Sequence, residues 1–152
     1  MGLVWSYMLR LTKKADYGLI ALRHLALNQT GASAKEIAAS YGIPLPLLAK
    51  VLQKLARGGL LLAAQGTNGG YRLARDAREI NALEVVRTLD GPLILTSCFT
   101  QQGHCYQSGT CSVREPLRKI HEGILQLLEN ISIAEIAHDS APLTQITHLE
   151  TV

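Results

Sequence analysis

Cys98, Cys105 and Cys111 fall within 14 residues, in the stretch TSCFTQQGHCYQSGTC, spaced C-x6-C-x5-C, and the 152-residue chain has no other cysteine. An odd count cannot be consumed by disulfides within one chain, and the opening MGLVWSYMLRLTKKADYG lacks the basic-then-apolar pattern of an export signal. No window approaches 18 uninterrupted apolar residues, so no spanning helix is expected. The expected location is the cytoplasm, a reducing compartment in which clustered thiols bind metal or sense redox state. Thiolate is a soft ligand that suits zinc or an iron–sulfur cluster. Three unrelated core cysteines are the plain alternative, but the surrounding Gly, Gln, Ser and Thr do not read as core. A nucleophilic cysteine would need a base and a pocket; His104 beside Cys105 in a loop is a poor pair, and no nucleotide loop or H-E-x-x-H motif accompanies it. The chain is therefore not expected to be an enzyme.

The elements that must position these thiols are largely helical. Apolar Ala15, Leu19, Leu22, Leu25 and Ala26 recur at helical spacing from Thr12 to Asn28, and NQTG stops the run. SAKEIAASYG begins with a capping box, Ser33 and Glu36, and ends at Gly42. After IPLP a third helix buries Leu48, Val51, Leu52 and Leu55 and presents Lys50, Gln53, Lys54 and Arg57; Pro46 is tolerated in its first turn. Two short helices joined by a tight glycine turn form a helix-turn-helix pattern. LLLAAQ and GYRLA, joined through GTNG, read as a hairpin directly behind it. The expected fold is mainly α (α+β): a winged helix-turn-helix.

Charge is divided along the chain in the same way. Residues 1–80 carry 11 Lys/Arg against 4 Asp/Glu, a net +7, whereas residues 81–152 carry 4 against 8, a net −4. The first half thus suits a polyanion. Asn81 and Glu84 mark the start of another helix, ALEVVRTLD, which GP breaks. Beyond the cysteines, Leu117, Ile120, Ile124, Leu127, Leu128 and Ile131 form one stripe on a long helix, expected to find a second subunit. The expected organisation is an N-terminal extension over 1–8, a winged-helix domain over 9–91, a cysteine-rich cluster-binding loop over 92–113, a dimerisation helix and short terminal helix over 114–139, and a flexible tail over 140–152.

LRLTKKADYGLIAL, the wing GGLLLAAQGTNGGYRLAR, INALEVVRTLDGP and three cysteines before a long helix together resemble the IscR-type branch of the Rrf-two family of bacterial transcription regulators, over roughly residues 9–138. The resemblance implies a homodimeric winged-helix protein that holds an iron–sulfur cluster and controls genes of cluster assembly or iron homeostasis, particularly like the regulators of the SUF assembly system. Relatives that use a histidine ligand have it three residues after the last cysteine; here that residue is Arg114, which cannot ligate. Nitric-oxide-responsive members resemble this chain instead at Asp16, an aspartate that in those relatives reaches the other subunit's cluster. The implied ligands are Cys98, Cys105, Cys111 and Asp16 from the partner subunit, around a 4Fe–4S cluster in preference to a 2Fe–2S one. Asp16 as a first-turn carboxylate at the positive helix end is the alternative, and His104 and Glu115 are rival ligands.

For double-stranded DNA, the third helix is expected in the major groove with Pro44, Leu45 and Pro46 at its start. Lys50, Gln53, Lys54 and Arg57 would serve base edges and phosphates, Thr12, Lys13 and Lys14 the backbone, and Asn68 and Arg72 the minor groove. Ala49 and Gln65 stand where the best-known relative has an acidic residue and an arginine, so its operator preference does not transfer. A winged-helix regulator with structural zinc or redox-active thiols and no cluster remains the competing expectation, followed by an interaction module without DNA affinity.

Overall fold

The computed structural model describes residues 11–66, 69–95 and 109–139. Along these residues run α1 (Lys13–Leu27), α2 (Ala34–Tyr41), α3 (Leu45–Arg57), β1 (Leu61–Ala64), β2 (Gly70–Leu73), α4 (Ala82–Asp90), α5 (Arg114–Asn130) and α6 (Ile133–His138). The helix starts are fixed by side chains, as the capping pattern predicts. Thr12, Ser33, Asn81 and Ser132 accept from the amides of Ala15, Glu36, Glu84 and Glu135 respectively. At Ser33 and Ser132 the glutamate also reaches back to the cap amide, which holds both carboxyls below the usual range.

One core joins these elements. Leu22 and Leu25 of α1, Ile37 of α2, Leu48, Leu52 and Leu55 of α3, Leu61 of β1, and Val85 and Leu89 of α4 are all buried in it. The sheet is a two-stranded antiparallel hairpin with Leu61 opposite Leu73 and Ala64 opposite Gly70. It is anchored to the segment before α2, where Ala32 and Tyr71 exchange both backbone hydrogen bonds (3.0 and 2.8 Å). Gly70 is what permits this approach, because a Cβ there would lie 2.8 Å from the Ala32 carbonyl oxygen.

Helices α1 and α4 meet as closely at Gly18. A Cβ at that position would lie 2.3 Å from Leu89 Cδ1 and 3.5 Å from Val85 Cγ1, both in the core. Gly18→Val is therefore expected to cost about 1–3 kcal/mol through overpacking, read as a lower melting temperature; an unchanged one would mean that α4 is not seated on α1.

The last helix returns to this core. Ile133 is fully buried, its amide donates to the Ile80 carbonyl (2.8 Å), and the Ala82 amide donates to Ile131 (2.9 Å). α6 packs on α1, so residues 133–138 complete the winged-helix body, a role the sequence pattern did not disclose. The C-terminal end of α5 is thereby fixed beside the start of α4. With 17 residues against 9, α5 is about 12 Å longer than α4. Its contact with α4 covers only part of its length, and no α5 residue is fully buried.

Candidate nucleic-acid interface and cysteine segment

The geometry of α3 follows from its amphipathic spacing. Leu48, Val51, Leu52 and Leu55 face the core, which leaves Pro46, Lys50, Gln53, Lys54 and Arg57 exposed. Pro44 provides no side-chain cap, and its carbonyl takes the amides of Leu47 and Leu48, both at 3.1 Å. Arg72 is exposed on β2 opposite Leu62, so the hairpin presents a cation from the same body. Asn68, the other expected wing contact, lies outside the described residues. Lys13 and Lys14 are exposed at the start of α1, where the Lys13 ammonium sits 5.9 Å from the centre of the Tyr17 ring.

Two residues expected on phosphates have protein partners. The Lys54 ammonium donates to the Leu89 carbonyl at 2.7 Å, and the Thr12 hydroxyl donates to Asp90 Oδ2 at 2.6 Å. Both bonds end on the last turn of α4. There a cation is favoured at the negative helix end and unmatched carbonyls need donors. The close seat of Gly58 on Thr88 holds the same two helices together. Lys54→Met is therefore expected to lower stability by about 1 kcal/mol while leaving the salt dependence of DNA binding intact. Lys50→Met should leave the melting temperature unchanged and flatten the salt slope by about one unit for each subunit. Thermal melts paired with binding isotherms across salt concentrations check this, and the reverse pattern would return Lys54 to the phosphate backbone.

Of the three cysteines only Cys111 is among the described residues, and Cys98, Cys105 and His104 lie outside them. Cys111 is a free, half-buried thiol three residues ahead of α5. Asp16 stands in the first turn of α1, its side chain 51% exposed, and its one ion pair among the described residues is a 3.9 Å contact to Lys13. Glu115 is already occupied: Arg118 donates to it at 2.8 and 3.1 Å, and this bonding lowers its carboxyl from the ordinary value. Among the described residues no three His, Cys, Asp or Glu side chains of one chain gather to hold a metal.

The expected stripe on α5 is divided. Leu117, Ile124, Leu128 and Ile131 are half-buried, whereas Ile120 and Leu127 are 53% and 61% exposed, with Gly123 open between them. No helix among the described residues is long and apolar enough to cross a membrane.

A helix-turn-helix backed by a hairpin, with cations on the outer face of its second helix, defines a winged-helix DNA-binding fold. The sequence profile of Rrf2, described as an iron-dependent transcriptional regulator, matches residues 11–139. The chain belongs to this family of transcriptional regulators, whose members act on DNA and are commonly dimeric. Solved structures agree on the fold. CymR, the global cysteine regulator of B. subtilis, aligns with a TM-score of 0.75 at 23% identity over 88% of this chain and 99% of its own. IscR of T. potens aligns at 0.69 and 25% identity over 95% and 94%. The oxidized form of Staphylococcus aureus CymR aligns at 0.68 and 23% over 88% and 100%.

Proposed function

We propose that this chain is a homodimeric regulator whose affinity for its DNA operator is set by an iron–sulfur cluster held on Cys98, Cys105 and Cys111, with Asp16 of the partner subunit as the fourth ligand. A 4Fe–4S cluster is favoured over a 2Fe–2S one, and the controlled genes are those of cluster assembly or iron homeostasis. The observation that carries this reading is three thiols between α4 and the long α5, one of them a free, half-buried Cys111, in a chain whose family is described as iron-dependent.

The donor chemistry fits. Thiolates suit cluster iron, Asp16 is exposed with a loose 3.9 Å contact to Lys13 among the described residues, and Arg114 cannot ligate while Glu115 is paired with Arg118, which leaves Asp16 as the favoured carboxylate. An oxygen donor holds soft iron less firmly than a thiolate, which suits a sensor of iron supply, oxygen or nitric oxide. The chain's own residues link such a site to DNA. The cysteine segment starts just past α4, and the last turn of α4 holds Lys54 of α3 and Thr12 of α1. A displacement of that turn moves the DNA-reading helix, and dimeric readers demand half-sites about 34 Å apart.

Anaerobic purification followed by an absorption spectrum with iron and sulfide analysis tests the cofactor. A brown protein with about four irons and four sulfides per chain is expected. Stoichiometric zinc, or no metal after reconstitution, would assign the thiols to structure or redox sensing within the same DNA-binding fold.

A further inference from the structure

The leading end of α3 is chemically unusual for a helix that reads DNA. From 44 to 49 the side chains are Pro44, Leu45, Pro46, Leu47, Leu48 and Ala49, without one hydrogen-bond donor or acceptor. Leu48 is buried, but Leu45 is 42% and Leu47 50% exposed, so the core does not account for them. The main chain adds little: Pro46 has no N–H, and the amides of Leu47 and Leu48 are spent on the Pro44 carbonyl. Polar reach begins only at Lys50, followed by Gln53 and Arg57 further along.

Reading helices of this fold contact base edges mainly through their N-terminal residues. The side chains of an end built this way offer only apolar surface, and the apolar feature of the major groove is the thymine C5 methyl. The setting argues for DNA as the occupant in preference to a protein: the leucines open a helix whose exposed side carries Lys50 one turn on and Arg57 at its far end, in a half-chain of net charge +7.

We infer that Leu45 and Leu47 are specificity-determining residues that read thymine methyl groups, so that the preferred half-site sets thymines against the first turn of α3. This inference rests on α3 being the DNA-reading helix of the proposed function. Lys50, Gln53 and Arg57 then supply phosphate contacts and the remaining base contacts, and the thymine preference is separable from them.

Deoxyuridine tests the inference, because it removes only the methyl and keeps every hydrogen-bonding group. Binding sites are selected from a random duplex pool with the full-length protein. The best site is then remade with its thymines replaced singly by deoxyuridine, and affinities are measured for wild type and the Leu45→Ala/Leu47→Ala variant. One or two positions in each half-site are expected to weaken wild-type binding about fourfold per methyl. The variant, whose substitutions lie outside the core, should keep the wild-type melting temperature and bind thymine and deoxyuridine sites alike. Equal wild-type affinity for both sites would overturn the inference while leaving the DNA-binding function in place. So would a deoxyuridine penalty that persists in the variant, which would assign the effect to DNA shape. A selection that yields no preferred sequence would overturn the sequence-reading function and the inference together.

Discussion

Replacing Leu127 with aspartate is expected to convert a dimer into a monomer of 16.5 kDa and to weaken operator binding by at least about a hundredfold. Leu127 is the most exposed large apolar side chain among the described residues, and it shares the open face of α5 with Ile120. Gly123 lies between them with nothing among the described residues within 4 Å of where its Cβ would be, so a second helix can approach closely there. Burying a leucine contributes about 1.5–3 kcal/mol, and a two-fold interface counts the residue twice. An aspartate in its place would also have to be desolvated without a partner. The combined loss, on the order of 5 kcal/mol, exceeds what micromolar protein can offset. Light scattering reads the mass, and the same variant should keep its helical content by circular dichroism, because Leu127 is outside the core, while its melting temperature falls with the lost subunit contact. A dimer that survives Leu127→Asp would place the subunit contact elsewhere.

The second large effect concerns the ligands. Cys111→Ser is expected to lose nearly all bound iron and sulfide. Asp16→Ala should still assemble a cluster but shorten its lifetime in air by about tenfold or more. Glu115→Gln is the control: its carboxylate is engaged by Arg118, so removing its charge should leave the cluster spectrum and lifetime as in wild type. If Glu115→Gln shortened the lifetime and Asp16→Ala did not, the fourth ligand would come from the start of α5. An Asp16→Ala protein with wild-type spectrum and lifetime would return Asp16 to its simpler role at the positive end of α1.

The fold was largely legible because its signals are local. Ser33 with Glu36, Asn81 with Glu84, and the spacing of Leu48, Val51, Leu52 and Leu55 each specify an element from neighbouring residues alone. What stayed hidden depends on contacts distant in sequence. The short terminal helix is expected from the sequence, and Ser132 with Glu135 even forms a capping box, but nothing local says that Ile133 enters the core against Ile80, 53 residues back, and that its helix packs on α1, more than 100 residues back. The α5 stripe was visible as one face, whereas its division into a side resting on α4 and a side left open is set by where α4 ends. Lys54 is the plainest case. Its position on the outer side of α3 is a matter of helical period, but its bond to the Leu89 carbonyl needs α4 brought back across 35 residues. The candidate site follows the same division: the thiol spacing and Asp16 are sequence features, while the links from Thr12 and Lys54 to the end of α4 belong to the tertiary structure.

The central claim is that the chemistry of the cysteine segment sets the affinity for DNA. It is tested most directly by measuring operator affinity by fluorescence anisotropy, without oxygen and at fixed salt, for one protein preparation before and after its cluster is removed. A change of at least about tenfold between the two forms is expected, within the usual range of coupling between two sites, and Lys54→Met should shrink it by loosening α3 from the end of α4. Equal affinity of the two forms for every selected site would contradict the account, since the cysteines would then have no bearing on what the winged helix reads.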